Sequence, residues 1–104
     1  MQVRLSTQAR RDLQGIKEWI APNNPARAVT FIEELRDAAA RIGTMPHAFP
    51  LIPRYERHGI RRRSYNGYGI LYSVQSDRVF VHRIIGPGQD HDRALRLTVD
   101  FVSQ

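Results

Sequence analysis

At 104 residues, with 41% hydrophobic and 25% charged side chains, the chain is sized for one domain around one core, and wholesale disorder is excluded. It has no cysteine, which rules out a disulfide scaffold and a thiolate metal centre and makes a reducing cytoplasm the expected compartment. The net charge of +6 is concentrated in residues 43–88, where seven basic side chains face two acidic ones, so an acidic partner is expected.

Met1 to Leu5 alternates weakly and predicts a short strand. It is not expected to be a signal peptide, because no apolar run follows its basic residue. No segment approaches the roughly 18–20 apolar residues that a membrane span needs, so no membrane contact is expected. Ser6 or Thr7 can cap the helix that follows. Ala9, Leu13, Ile16 and Ile20 recur at helical spacing and define a core-facing stripe, which Trp19 is expected to extend. Gly15 weakens this helix but permits close packing against a neighbour.

Pro22-Asn23-Asn24-Pro25 ends the first helix and starts the second, with Asn24 as N-cap and Pro25 at the first helical position. Ala28, Phe31, Ile32, Leu35, Ala38, Ala39 and Ile42 form a broad apolar face on the second helix. So short a connection predicts an antiparallel hairpin. Gly43 is the expected C-terminal stop. Pro46, Pro50 and Pro53 predict an ordered loop crossing from the helices to a sheet.

Three strands follow, at 60–65, 68–75 and 79–85. Asn66-Gly67 and Ser76-Asp77 separate them as two-residue turns, which predicts an antiparallel meander. Gly86-Pro87-Gly88 stops the last strand. Two readings stay open for 90–102. Leu95, Leu97, Val99 and Phe101 alternate as in a strand, while Asp92 can cap a short helix, the reading we favour.

Strand, helix, helix and three strands make an α+β fold in a single domain over 1–104. The expected architecture is an N-terminal strand and a two-helix hairpin packed on a small antiparallel sheet (β-α-α-β-β-β), with a short C-terminal element. One sheet face is covered by the helices and the other is at least partly exposed.

The densest chemistry lies in Arg61-Arg62-Arg63. Strand alternation puts Arg61 and Arg63 on one face and Arg62 on the other. Guanidinium groups favour bidentate contact with carboxylate or phosphate, so the cluster can bind a target or partner. It can equally be a solvated edge strand whose charges discourage aggregation. Arg83, among Val81, Ile84 and Ile85, is expected to be partly buried and paired. Tyr65, Tyr68 and Tyr72 read as cross-strand packing partners that could also stack on bases. Trp19 and Phe31 read as core. His82 and His91 read as ordinary strand or loop residues. His47 and His58 are too isolated to suggest a metal, and no metal or cofactor is expected.

Taken together, these motifs resemble the ParE branch of the ParE/RelE toxin superfamily, over residues 2 to about 92. The resemblance is carried by Val3-Arg4-Leu5-Ser6 with Ala9, Asp12, Leu13 and Ile16. It continues in the 25–42 helix with Met45-Pro46, and in Gly59-Ile60-Arg61 with Tyr65-Asn66-Gly67-Tyr68 and Ile70-Leu71-Tyr72. Val81-His82-Arg83-Ile84-Ile85 completes it. The resemblance implies a toxin of a type II toxin–antitoxin system that poisons DNA gyrase. It implies a cognate antitoxin, ParD-like with a ribbon-helix-helix domain, through whose complex alone DNA is contacted. Arg61, Arg62, Arg63, Tyr65, Tyr68 and Arg83 are the candidate contacts to target or antitoxin.

The alternative is a RelE-like endoribonuclease of ribosome-bound message, for which Arg61, Arg83 and His91 are the candidate groups. Such enzymes use lysine and arginine with a C-terminal tyrosine or histidine. Here Lys17 is the only lysine, Gly69 stands where RelE relatives often carry arginine, no tyrosine follows Tyr72, and Gly88 and Gln89 replace basic residues. The expected activity is therefore inhibition by binding rather than catalysis.

Overall fold

Two side-chain caps and two tight turns set the order of elements. The structure, a computed structural model, describes residues 1–96. β1 (Gln2–Leu5) gives way at Ser6, whose hydroxyl accepts the Ala9 N–H at 2.9 Å and opens α1 (Thr7–Ile20). Asn24 does the same for α2 (Pro25–Arg41), accepting from the Arg27 N–H at 3.0 Å. β2 (Arg61–Tyr65), β3 (Tyr68–Gln75) and β4 (Arg78–Ile85) follow as the expected meander. Positive φ at Asn66 (48°) and Gly67 (82°) gives the first turn the twist that a two-residue hairpin demands.

The sheet order is β1-β4-β3-β2. β1 lies parallel to β4, from Gln2↔Arg78 to Leu5↔Val81, so the four-stranded sheet is mixed although the meander within it is antiparallel. Parallel neighbours need a crossover, and the α1–α2 hairpin lies on that path and covers one face. Ala9 and Leu13 of α1 and Phe31, Leu35 and Ala39 of α2 close a core over Ile70, Tyr72, Val79 and Val81.

The opposite face is more closed than its sequence suggests. Ile52 and Ile60 of the proline loop and Ala94 and Leu95 near the C-terminal side bury Leu71 and Ile85 in a second core. Exposure on this face persists at the β1–β4 end, where Arg4 is exposed and Arg78 and Phe80 are half-buried. The loop also runs beside β2: the Pro50 carbonyl accepts the Arg62 N–H at 3.0 Å, and the Ile52 N–H donates to the Ile60 carbonyl at 2.8 Å.

Residues 91–96 are helical and are labelled α3. Its cap is Asp90 rather than Asp92, with the Asp90 carboxylate accepting the Asp92 N–H at 3.0 Å. The part of the 90–102 expectation that falls on Leu97, Val99 and Phe101 lies outside the described residues.

Two expectations are corrected and a third is refined. Trp19 is 78% exposed, not core. On a helical wheel it lies roughly 100° from the line of Leu13 and Ile20, which already fill the interface. Gly15 does not permit close packing, since a Cβ built there would meet nothing within 4 Å. Gly43 stands where α2 ends, directly after the C-cap Ile42, but without the left-handed conformation of a glycine stop. It sits buried in the 3₁₀ turn Ile42–Thr44, where a Cβ would fall 2.2 Å from the Met1 carbonyl oxygen.

The two glycines predict opposite responses to alanine. Gly15→Ala should raise stability by up to about 1 kcal/mol, because helix propensity improves and nothing clashes. Gly43→Ala should lower it by about 1–3 kcal/mol, because backbone must move. Urea midpoints of the two variants check both signs.

Candidate interaction surface

Strand alternation divides the arginine cluster as expected. Arg61 and Arg63 lie opposite Tyr72 and Ile70, which belong to the helix-side core. Both turn to backbone carbonyls. Arg61 Nη1 donates to the Phe49 carbonyl at 2.7 Å, and Arg63 Nη1 to the Ala38 carbonyl at 2.8 Å, near the end of α2. The Arg63 guanidinium also lies 5.1 Å from the centre of the Phe49 ring. An α-helix leaves its last carbonyls without intrahelical donors, and a cation nearby favours the negative end of its dipole, which suits Arg63 to this place.

Arg62 points to the other face. Its Nε donates to Ser64 Oγ at 3.0 Å, and its Nη1 lies 2.7 Å from His91 Nε2. Arginine only donates, so His91 accepts at Nε2 and is neutral in this contact. Burial, then the charge of Arg62, lowers the His91 pKa. The same guanidinium explains Gly69, where a Cβ would come within 2.6 Å of Arg62 Cζ. None of the ion pairs among the described residues includes Arg61, Arg62 or Arg63. Among the described residues their positive charge is held in place by neutral acceptors and not cancelled by a carboxylate.

Tyr65 and Tyr68 are cross-strand neighbours, and both meet Phe31 of α2, at ring distances of 6.2 and 5.1 Å. The Tyr65 hydroxyl donates to Glu34 at 2.7 Å, and Arg27 pairs with the same carboxylate. Arg27, then Tyr65, holds the Glu34 pKa below its ordinary value. Together these groups form a polar flank where β2 meets α2.

Arg83 stands apart from the cluster. The Leu71↔Arg83 and Tyr72↔Val81 pairing leaves His82 as the extra residue of a bulge in β4. After Val79 and Val81, plain alternation would aim residue 83 at the helix-side core; the bulge sends it away. Arg83 forks onto Asp12, with Nε donating to Oδ2 at 2.8 Å and Nη2 to Oδ1 at 3.0 Å, while Nη1 donates to the Ala94 carbonyl at 2.9 Å. Its pKa is raised, chiefly by the hydrogen bond to Asp12. Asp12 Oδ2 also accepts the Ile84 N–H at 2.9 Å. Sequence reasoning placed Arg83 but missed Asp12 as its partner, because the two are 71 positions apart and no local pattern joins them.

The structure therefore brings Arg62 to His91 but leaves Arg61 and Arg83 on separate partners. His82 is a strand residue, as expected, and a buried one: it is 4% exposed, with Nε2 at 2.8 Å from Ser73 Oγ. Burial depresses its pKa to about 4. Among the described residues no cluster of three His, Asp or Glu side chains converges as metal ligands would. No helix there is long and apolar enough to cross a membrane.

Removing the Asp12 carboxylate (Asp12→Ala) strands a partly buried guanidinium and an N–H, and should cost about 3 kcal/mol. Adding Arg83→Met should recover part of that loss, which a double-mutant cycle in urea would read. His82 predicts a pH effect. The folded chain keeps it neutral while the unfolded chain takes up a proton below 6.5, so stability falls as pH drops from 6.5 towards about 4 and is untouched above that window. The limit is about 3 kcal/mol, and His82→Phe should flatten the slope.

Comparison with known proteins adds the family. No curated protein sequence matches the chain. A chain from the chromosomal ParDE toxin–antitoxin system of P. aeruginosa superposes with a TM-score of 0.73 at 16% identity, covering 84% of this chain and 96% of that one. A chain of the RelBE2 toxin–antitoxin complex of Mycobacterium tuberculosis gives 0.54 at 22% identity, covering 82% and 95%. At such identities these likenesses speak for the fold. Residues 3–91 match the family described as the ParE toxin of the type II toxin-antitoxin system parDE, and since that match spans most of the sequence, the chain belongs to the ParE toxin family.

Proposed function

We propose that this chain inhibits bacterial growth by binding and poisoning DNA gyrase in the cytoplasm, and that a ParD-like ribbon-helix-helix antitoxin neutralises it. The observation that carries this reading is the commitment of the chain's polar groups. RNA cleavage without a metal asks for a base, a phosphate stabiliser and an acid converging on one site. Here Arg61 is held by loop carbonyls, Arg83 by Asp12 and the Ala94 carbonyl, and His91 by Arg62. Poisoning by binding needs none of these groups free. It needs a rigid surface with net positive charge, and the uncancelled arginines of β2 supply one. An antitoxin rich in acidic and apolar residues suits the same surface, and DNA is contacted through that complex.

Purified protein added to gyrase and plasmid DNA should accumulate cleavage complexes while message on translating ribosomes stays whole. Message cut in a translating extract, with gyrase untouched, would transfer the assignment to the RelE-like nuclease.

A further inference from the structure

A groove of about 590 Å³ runs between one flank of α1 and the Gly86–Gln89 turn. Its volume falls in the range of sites that accept a side chain or small ligand. Four observations mark it as a docking site. Trp19, 78% exposed, stands in one wall, where a large aromatic would ordinarily be buried. Gly15 floors the groove, with open space where a side chain would begin. Tyr68 and Pro87 face them, and the Gln89 side chain accepts the Gly86 N–H, which fixes the turn. Its charge is one-sided. The Asp12 carboxylate is occupied by Arg83 and the Ile84 N–H, whereas none of the ion pairs among the described residues includes Arg11.

These features select the occupant. A second copy of the chain would bring a net charge of +6 against +6. An acidic segment is attracted instead, and tryptophan and arginine are among the residues enriched at the sites that dominate such contacts. We propose that this groove seats an acidic segment of the antitoxin, one apolar side chain entering over Gly15 between Trp19 and Pro87 and a carboxylate meeting Arg11. The inference rests on the toxin–antitoxin reading above and adds where the partner docks.

Trp19 is the only tryptophan of the chain and so reports directly on the groove. A tryptophan-free version of the antitoxin, titrated into the wild-type protein, should shift the Trp19 emission to shorter wavelength and shield it from acrylamide. Gly15→Leu begins its side chain in open space at the groove floor and extends into the groove, and should weaken affinity about tenfold or more while the thermal midpoint does not fall. Arg11→Glu, an exposed change independent of that packing, should also weaken binding, and the loss should shrink as salt is raised. Equal affinity of the antitoxin for wild type and both variants, with Trp19 still quenched by acrylamide, overturns the groove and leaves the toxin–antitoxin reading standing. Trp19 shielded in a dimer of the free protein, or by gyrase and not by antitoxin, overturns the assigned occupant. An antitoxin that fails to bind the wild-type chain overturns both readings.

Discussion

One carboxylate joins the helical layer to the sheet. β1 pairs with β4 only as far as Val81, so beyond that point this edge of β4 has no neighbouring strand among the described residues. α1 takes over the vacant edge. The Ser6 N–H donates to the Val81 carbonyl at 2.9 Å, the Ser6 hydroxyl to the His82 carbonyl at 2.7 Å, and Asp12 accepts from Ile84. A buried N–H or carbonyl left without a partner costs about 1–3 kcal/mol, so the start of α1 is fixed by the needs of the strand it adjoins. Asp12 is fixed twice over, because Arg83 forks onto the same oxygens and reaches on to α3 through Ala94. Helix, strand and C-terminal turn are thereby held by one ion pair of low exposure.

The other arginines follow the same economy with different acceptors. A fork of donors can close exposed carbonyls as well as carboxylates. Arg63 does so near the end of α2, and Arg61 does so in the proline loop. Because carbonyls are neutral, the fold is stabilised and the positive charge survives. That combination suits binding, since rigid positive groups steer an acidic partner without first having to be ordered. Arg54 and Tyr55 show the contrast: both meet Asp92, and their contacts fasten the loop to α3.

The exposed features lie where no partner among the described residues competes for them. The flank of α1 that carries Arg11, Gly15 and Trp19 is turned away from α2 and from the helix-side core. A helix buried on one stripe only is free to present such a flank, and the mixed sheet leaves it beside the turn that follows β4. The polar surface where β2 meets α2 is a separate region, built on Glu34, Arg27 and Tyr65.

The sequence by itself determined the elements and the order in which they are strung. Serine and asparagine caps, a 3.6-residue apolar rhythm and two-residue turns act over a few positions, so they are legible without a fold. It also determined that Arg61 and Arg63 share a face, because alternation is a property of any extended strand. Only the tertiary structure decided the rest. The parallel place of β1, the bulge at His82 that turns Arg83 towards Asp12, and the second core under Leu71 all depend on partners distant along the chain. Trp19 shows the limit most plainly: composition reads it as core, and its exposure follows from a wheel angle measured against neighbours that had already filled the interface.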